Sequence, residues 1–277
     1  MRFGFTLPNN FGVSDPHDVV ALAAEAEHAG FDSVWVNHHV LNVGYVGDRL
    51  GQRPYHDALT VLTWAAATTR QVRLGTSVLV LPYLHPMLLA KQLATLDHLC
   101  GGRLIVGVGV GSLPEENEAL GAPWERRGRY SDESITVMRA LWNEPEASFD
   151  GEFFSFAGIV ASPKPLQRPH PPVVIGGNRP PALRRVARLG DGWHPLGVSP
   201  EGYADRLATI ETELAAAGRD RADLQWSLRI DADRVDADAV AAYERAGVEE
   251  MVVSVASGDL GVIRTALERV AGCITPP

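Results

Sequence analysis

Asn37, His38 and His39 close an apolar run, Ser33 to Val36, with an amide and two imidazoles. Imidazoles exchange protons near neutral pH, so this stretch could supply an acid or a base. Glycines gather where other apolar runs end: Gly107, Gly109 and Gly111 before Ser112, and Gly176 and Gly177 before Asn178. A residue without Cβ lets a phosphate or a flat ring approach backbone N–H groups closely. Thr76, Ser77 and Val78 form another such end, small and partly polar.

Each feature also has a plain structural reading. Neighbouring residues on a strand face opposite ways, so His38 and His39 cannot readily chelate one ion, and no metal site is expected. Gly176 and Gly177 equally suit a simple turn into a helix. Gly107, Gly109 and Gly111 do not match the dinucleotide pattern GxGxxG. Asp57 reads either as a helix cap or as an acid, and Asp191 and His194 are open in the same way.

The elements that must carry these residues alternate. Strands are expected at 2–7, 33–36, 72–81, 103–109, 173–177, 191–195, 225–230 and 249–255, with a helical pattern after each. Asp15 followed by Pro16 starts the first helix and Gly30 ends it. Near-continuous apolar strands joined by helices describe a parallel sheet covered on both faces. Eight such units predict an α/β fold, a (β/α)8 TIM barrel, as one domain over residues 1–277. The segment 112–172 is read as an insertion on it. Active sites of such barrels lie at the C-terminal strand ends, where Asn37, His38 and His39 and the small or glycine-rich ends fall.

Composition narrows the partners. A net charge of −9 argues against nucleic acid or an anionic membrane surface. Cys100 and Cys273 show no metal or redox spacing, and no signal peptide or membrane span is seen, so a reducing cytoplasm is expected.

Two long stretches carry a resemblance. "VRLGTSVLVLPYLHPMLLAKQLATLDHLCGGRLIVGVGVGSLPEENEALG" and "PKPLQRPHPPVVIGGNRPPALRRVARLGDGWHP" resemble the bacterial luciferase-like monooxygenase family, within it the branch that depends on coenzyme F420, a deazaflavin. The resemblance covers Phe3 to about Ala271. It implies a barrel that binds F420, or alternatively FMN, and moves a hydride between the ring and a small organic substrate. His39 would be the acid/base residue, with His38 and Asn37 bonding ring or substrate and setting the tautomer of His39. A non-proline cis peptide is implied at Ser77–Val78, bulging under the ring. Thr76, Ser77, Val78, Gly109, Gly111 and Ser112 would touch the cofactor, and Gly176, Gly177 and Asn178 its phosphate.

The F420 enzymes usually end the second strand in Asp-His, whereas "NHH" leans toward the Glu-His-His of the flavin branch. With FMN the protein would be a two-component monooxygenase fed by a separate reductase; a non-catalytic flavin-binding protein is the third reading. Arg49, Arg53 and Arg179 are candidates for the acidic F420 tail. Tyr45, Tyr55, His56 and Trp124 could line the substrate space, and a homodimer is expected by family likeness.

Overall fold

A computed structural model describes residues 1–274; residues 275–277 of the expected domain lie outside the described residues. The first unit is β1 (Arg2–Thr6) and α1 (Pro16–His28), whose cap Asp15 accepts from His17 N–H with Pro16 at the first helical position. The second is β2 (Ser33–Val36), a short α2 (Gly44–Leu50) and α3 (Ala58–Thr68). Asp57 is the cap of α3, accepting from Thr60 N–H at 2.8 Å, which decides its reading. β3 (Arg73–Thr76), β4 (Leu79–Val80) and α4 (Pro86–Leu99) follow.

Next come β5 (Leu104–Gly109), α5 (Pro114–Ala119), α6 (Arg127–Asn143) and a hairpin of β6 (Ala147–Asp150) and β7 (Ser155–Ile159). The remaining units are β8 (Val173–Gly176) with α7 (Pro180–Leu189), and β9 (Gly192–His194) with α8 (Pro200–Ala216). β10 (Gln225–Asp231) leads to α9 (Ala237–Arg245), and β11 (Glu250–Ser254) to α10 (Leu260–Ile274).

The strands pair in parallel in the order β3-β2-β1-β11-β10-β9-β8-β5, and β3 also pairs with β5, which closes the (β/α)8 barrel. The single strand expected at 72–81 is broken in two by a cis peptide at Ser77–Val78. Below the break Leu74 and Gly75 pair with Leu104 and Ile105; above it Leu79 and Val80 pair with Val108 and Gly109. The third strand thus spends one residue more than β5 over the same distance, as a bulge does. Within 112–172, α6 packs between α4 and α7 and is the crossover helix of the fourth unit. The parts additional to a plain unit are the stretch around α5 and the β6–β7 hairpin.

Two apolar layers hold the barrel. Outside it, side chains such as Phe5, Val34, Leu74 and Leu228 pack under the helices. Inside, Trp35 packs with Ile105, Val174 and Val252. The indole fits because its neighbours across the sheet are glycines. A Cβ on Gly75 would lie 2.2 Å from the indole ring, and one on Gly4 2.8 Å from its Nε1. Its N–H donates to Ser33 Oγ at 2.7 Å, and Ser33 donates to Glu250. Burying an aromatic of this size stabilises by about 4–6 kcal/mol as an upper figure.

Gly75→Ala should therefore push Trp35 out of place and cost about 3 kcal/mol, read from urea unfolding. Gly272→Ala is the control, since its new methyl meets nothing within 4 Å. It should leave stability unchanged or raise it by up to about 1 kcal/mol.

Candidate active site

The C-terminal ends of β2, β5, β8 and β10 and the break after β3 open into one cavity of about 770 Å³. Asn37, His38 and His39 stand on its wall, as do Ser77 and Val78, Gly109, Gly111 and Ser112, and Gly176, Gly177 and Asn178. Thr76 does not, which corrects its assignment as a contact. Its side chain is buried and its Oγ1 donates to Gly107 O at 2.8 Å, because strand alternation turns residue 76 away from the opening that residue 77 faces.

Val78 forms an apolar shelf there. A Cβ on Gly109 would come within 2.8 Å of Val78 Cγ2, and one on Gly176 within 3.1 Å of Cγ1. The isopropyl group therefore rests directly on the backbones of β5 and β8, where a planar ligand can lie against it.

Under the shelf runs a chain of neutral hydrogen bonds. Ser77 Oγ bonds His194 Nε2 at 2.9 Å, His194 Nδ1 bonds Ser227 Oγ at 2.8 Å, and Ser227 donates to Trp193 O at 3.2 Å. A proton on His194 Nδ1, with Nε2 accepting from Ser77, is the arrangement that satisfies all three contacts at once. His194 also stacks on Trp35, centroids 4.5 Å apart and planes 4° from parallel. Burial, and then the charge of Arg229, pull its pKa down to about 3. His38 is neutral too: it accepts from Val80 N–H on Nδ1 at 3.1 Å, and burial brings its pKa to about 4.

His39 is held differently. Its Nδ1 meets Glu116 Oε2 at 2.6 Å and its Nε2 the Tyr45 hydroxyl at 2.9 Å. The other Glu116 oxygen accepts from Val40 N–H at 2.6 Å and Leu41 N–H at 3.0 Å. Burial pushes the Glu116 carboxyl upward, but the His39 and backbone hydrogen bonds outweigh it and hold the group below its ordinary pKa. An ionised carboxylate only accepts, so His39 carries its proton on Nδ1 and offers Nε2 to the cavity side.

Glu116, rather than His38 and Asn37, sets this tautomer; the expectation is corrected by geometry. Asn37 is fully engaged elsewhere: its N–H and carbonyl bond Asn9, its amide donates to Asn10 Oδ1 at 3.1 Å, and its Oδ1 accepts from Arg229.

Across the mouth the chain turns at Gly177, φ +101°, where a side chain would be strained. Trp193 Nε1 and Arg206 Nε take the carbonyls of Gly177 and Asn178 at 2.8 and 3.0 Å. The N–H of Gly177 points at His194 O in the β8–β9 pairing, whereas that of Asn178 meets no acceptor among the described residues. Arg127, stacked over Trp124 at 3.8 Å, and Arg179 flank them, while Arg185 is paired with Asp132. A free amide beside cations suits a phosphate. The donor set and the Val78 shelf together fit a planar ring on a phosphorylated stalk.

The residue-128 end of α6 and the region near α5 also contribute, through Gly128 and Trp124. Tyr45, Tyr55 and Arg49 line the cavity as expected, but His56 and Arg53 do not. His56 Nε2 bonds Val13 O at 2.8 Å, and Arg53 is spent on the carbonyls of Leu50 and Arg49. Asp191 is structural, accepting from Val173 N–H at 2.9 Å and Arg139 at 2.8 Å.

The model of the luciferase-like monooxygenases matches residues 1–266. The chain belongs to that family. Over 200 residues it is 34% identical to an FMNH2-dependent dimethylsulfone monooxygenase of Pseudomonas putida, covering 71% of this chain and 53% of that one. Over 207 residues it is also 34% identical to an F420-dependent glucose-6-phosphate dehydrogenase of Amycolatopsis mediterranei, covering 73% and 60%. The chain thus spans little more than half the length of these luciferase-like relatives. Among solved structures, an F420-dependent secondary alcohol dehydrogenase superposes with a TM-score of 0.82 at 19% identity over 98% of this chain and 97% of that one, a likeness of fold.

Several groups of this luciferase-like site escaped the sequence reading, among them Arg127, Glu116 and Arg229. Glu116 hides in "PEENEA", where acidic residues at a helix start are ordinary. Arg229 sits in "QWSLRID", and only the alternation of Gln225, Ser227 and Arg229 hints that a polar row faces inward.

The two neutral histidines give stability a pH dependence. An unfolded chain protonates them below about pH 6.5, whereas the folded one resists to about 4 and about 3. Their contribution is complete above that range and is lost on acidification, each approaching about 1.4 kcal/mol per pH unit. His194→Gln should reduce this slope between pH 5 and 6.5 by about half of their joint share, measured by urea unfolding. Glu116→Gln should cost about 1–3 kcal/mol at neutral pH. Because the folded carboxyl is depressed, that deficit against the wild type should shrink as pH falls below about 4.5.

Proposed function

We propose that the protein is an oxidoreductase using F420, in which a hydride passes between the deazaflavin ring and a small organic substrate and His39 handles the matching proton. The observation that carries this is the pairing, in one cavity, of a shelf and phosphate turn with a histidine backed by a buried carboxylate. When bound, the ring supplies the two-electron chemistry. The protein supplies position and a proton.

In this reading Val78 and the glycine backbones of β5 and β8 support the ring, and Gly177, Asn178, Arg127 and Arg179 hold the phosphorylated stalk. His39 Nε2 takes or gives one proton, and Glu116 balances the imidazolium formed, as a buried carboxylate does for any histidine base. Tyr45, hydrogen-bonded to that nitrogen, covers it until a substrate oxygen replaces the phenol. His38 and His194, held neutral, keep stray protons off the floor.

A second reading, an FMNH2-dependent monooxygenase served by a separate reductase, is favoured by the 34% identity to the dimethylsulfone enzyme. Equilibrium titration of the purified protein with F420 and FMN, each oxidised and reduced, separates the two. F420 should bind and support hydride turnover; oxygen consumption with FMNH2 and no F420 turnover would reverse the choice. His39→Ala should lower turnover by about 10²–10⁴-fold while cofactor affinity stays within about threefold. Full turnover in this variant removes His39 from the mechanism.

A further inference from the structure

Arg49, from α2, and Arg229, from β10, reach the same side of the cavity. All their hydrogen bonds go to neutral groups: Arg49 to Asn10 O at 3.1 Å, and Arg229 to Asn37 Oδ1 and to Ser77 O and Oγ at 3.2 and 3.4 Å. Neither has a carboxylate partner among the described residues; the nearby Asp231 instead accepts from Ser254 at 3.2 Å. The Nε atoms of both arginines and the Tyr55 hydroxyl are buried without a hydrogen-bond partner. Arg49 Nη1 and Arg229 Nη2 also make no hydrogen bond among the described residues.

Two guanidiniums close together in a partly buried wall repel each other, and neutral dipoles compensate only in part. Burial first, and the charge of Arg49 as well, draw the pKa of Arg229 below its ordinary value, while Tyr55 and Asp231 act against this. A bound anion is the group that would satisfy both cations. This wall is not the phosphate turn, which follows β8 and has its own amide and arginines. It adjoins His39 instead, whose ring centroid is 6.0 Å from that of Tyr55 and 5.7 Å from that of Tyr45.

We propose that Arg49 and Arg229, backed by Tyr55, form an anion subsite that anchors a carboxylate or sulfonate of the organic substrate beside His39. The assignment rests on the reading that the cavity holds a substrate next to a ring cofactor. It adds the class of that substrate: an organic acid, whose charged end is held by the arginines while its reacting carbon lies between His39 and the ring. Both acid types offer the oxygen acceptors that guanidinium N–H groups require.

Calorimetric titration with benzoate, benzenesulfonate and neutral benzamide tests it, on the protein alone and on the protein saturated with FMN or F420. At least one anion should bind about tenfold or more tighter than benzamide, with and without cofactor, and the stronger one identifies the acid type. Arg49→Met should weaken the anion by about 10–100-fold and leave benzamide within about twofold; Arg49→Lys should recover part of the loss. Thermal unfolding checks that the variants fold, and Arg49→Gln takes the place of Met if that one does not. Equal binding of anions and benzamide, or no effect of the Arg49 substitutions, overturns the subsite. Displacement of the anion by FMN or F420 also overturns it, by giving the arginines to the cofactor. A protein that binds the anion through Arg49 yet takes neither cofactor would instead defeat the reading under which the cavity works.

Discussion

The site depends on how the interior of the barrel is filled. A parallel barrel of this size has no room for an indole unless its neighbours yield, and Gly4 and Gly75 yield on both sides of Trp35. Trp35 in turn provides the plane on which His194 lies. From His194 the hydrogen bonds pass to Ser77, from Ser77 to Arg229, and from Arg229 to Asn37. The floor of the cavity is therefore an extension of the core, rigid for the same packing reasons. Groups at the mouth inherit their positions from it.

Charge is distributed unevenly over that scaffold. The lower layer contains imidazoles that burial keeps neutral: His194 is bonded at both ring nitrogens, and His38 accepts from Val80 N–H. Above it the one buried carboxylate among the cavity's near neighbours, Glu116, is spent on His39 and two backbone N–H groups. Arg49 and Arg229 at one end, and Arg127 and Arg179 at the other, are left with neutral partners or with none, while Arg185 is paired with Asp132. Under the proposed function such an arrangement would separate proton handling from anion recognition, and both from the apolar shelf formed by Val78.

The stretch 112–172 joins these functions. It contributes the crossover helix α6, which the barrel needs, and ahead of it Glu116, Trp124 and Arg127. One excursion of the chain thus backs His39 on one side and lines the cavity with the Gly177–Asn178 turn on the other. Variation along it would change both ends of the cavity without disturbing the strands.

The alternation of apolar runs with helical patterns and caps was enough to determine a (β/α)8 barrel, and the polar or glycine-rich strand ends were enough to mark its mouth. Those signals are local: burial on both faces gives a parallel strand a continuous apolar run, and Asp57 or Asp15 caps a helix within its own turn. Most of the cavity residues were legible for that reason, Thr76 being misread because ordinary strand alternation turns it away from the side that Ser77 faces. What only the tertiary structure decided is which polar groups meet. Glu116 lies 77 positions from His39 along the chain, and Arg229 lies 192 positions from Asn37. Neither pairing leaves a trace in local pattern, because closure of the barrel, and not spacing along the chain, brings those side chains within hydrogen-bond reach.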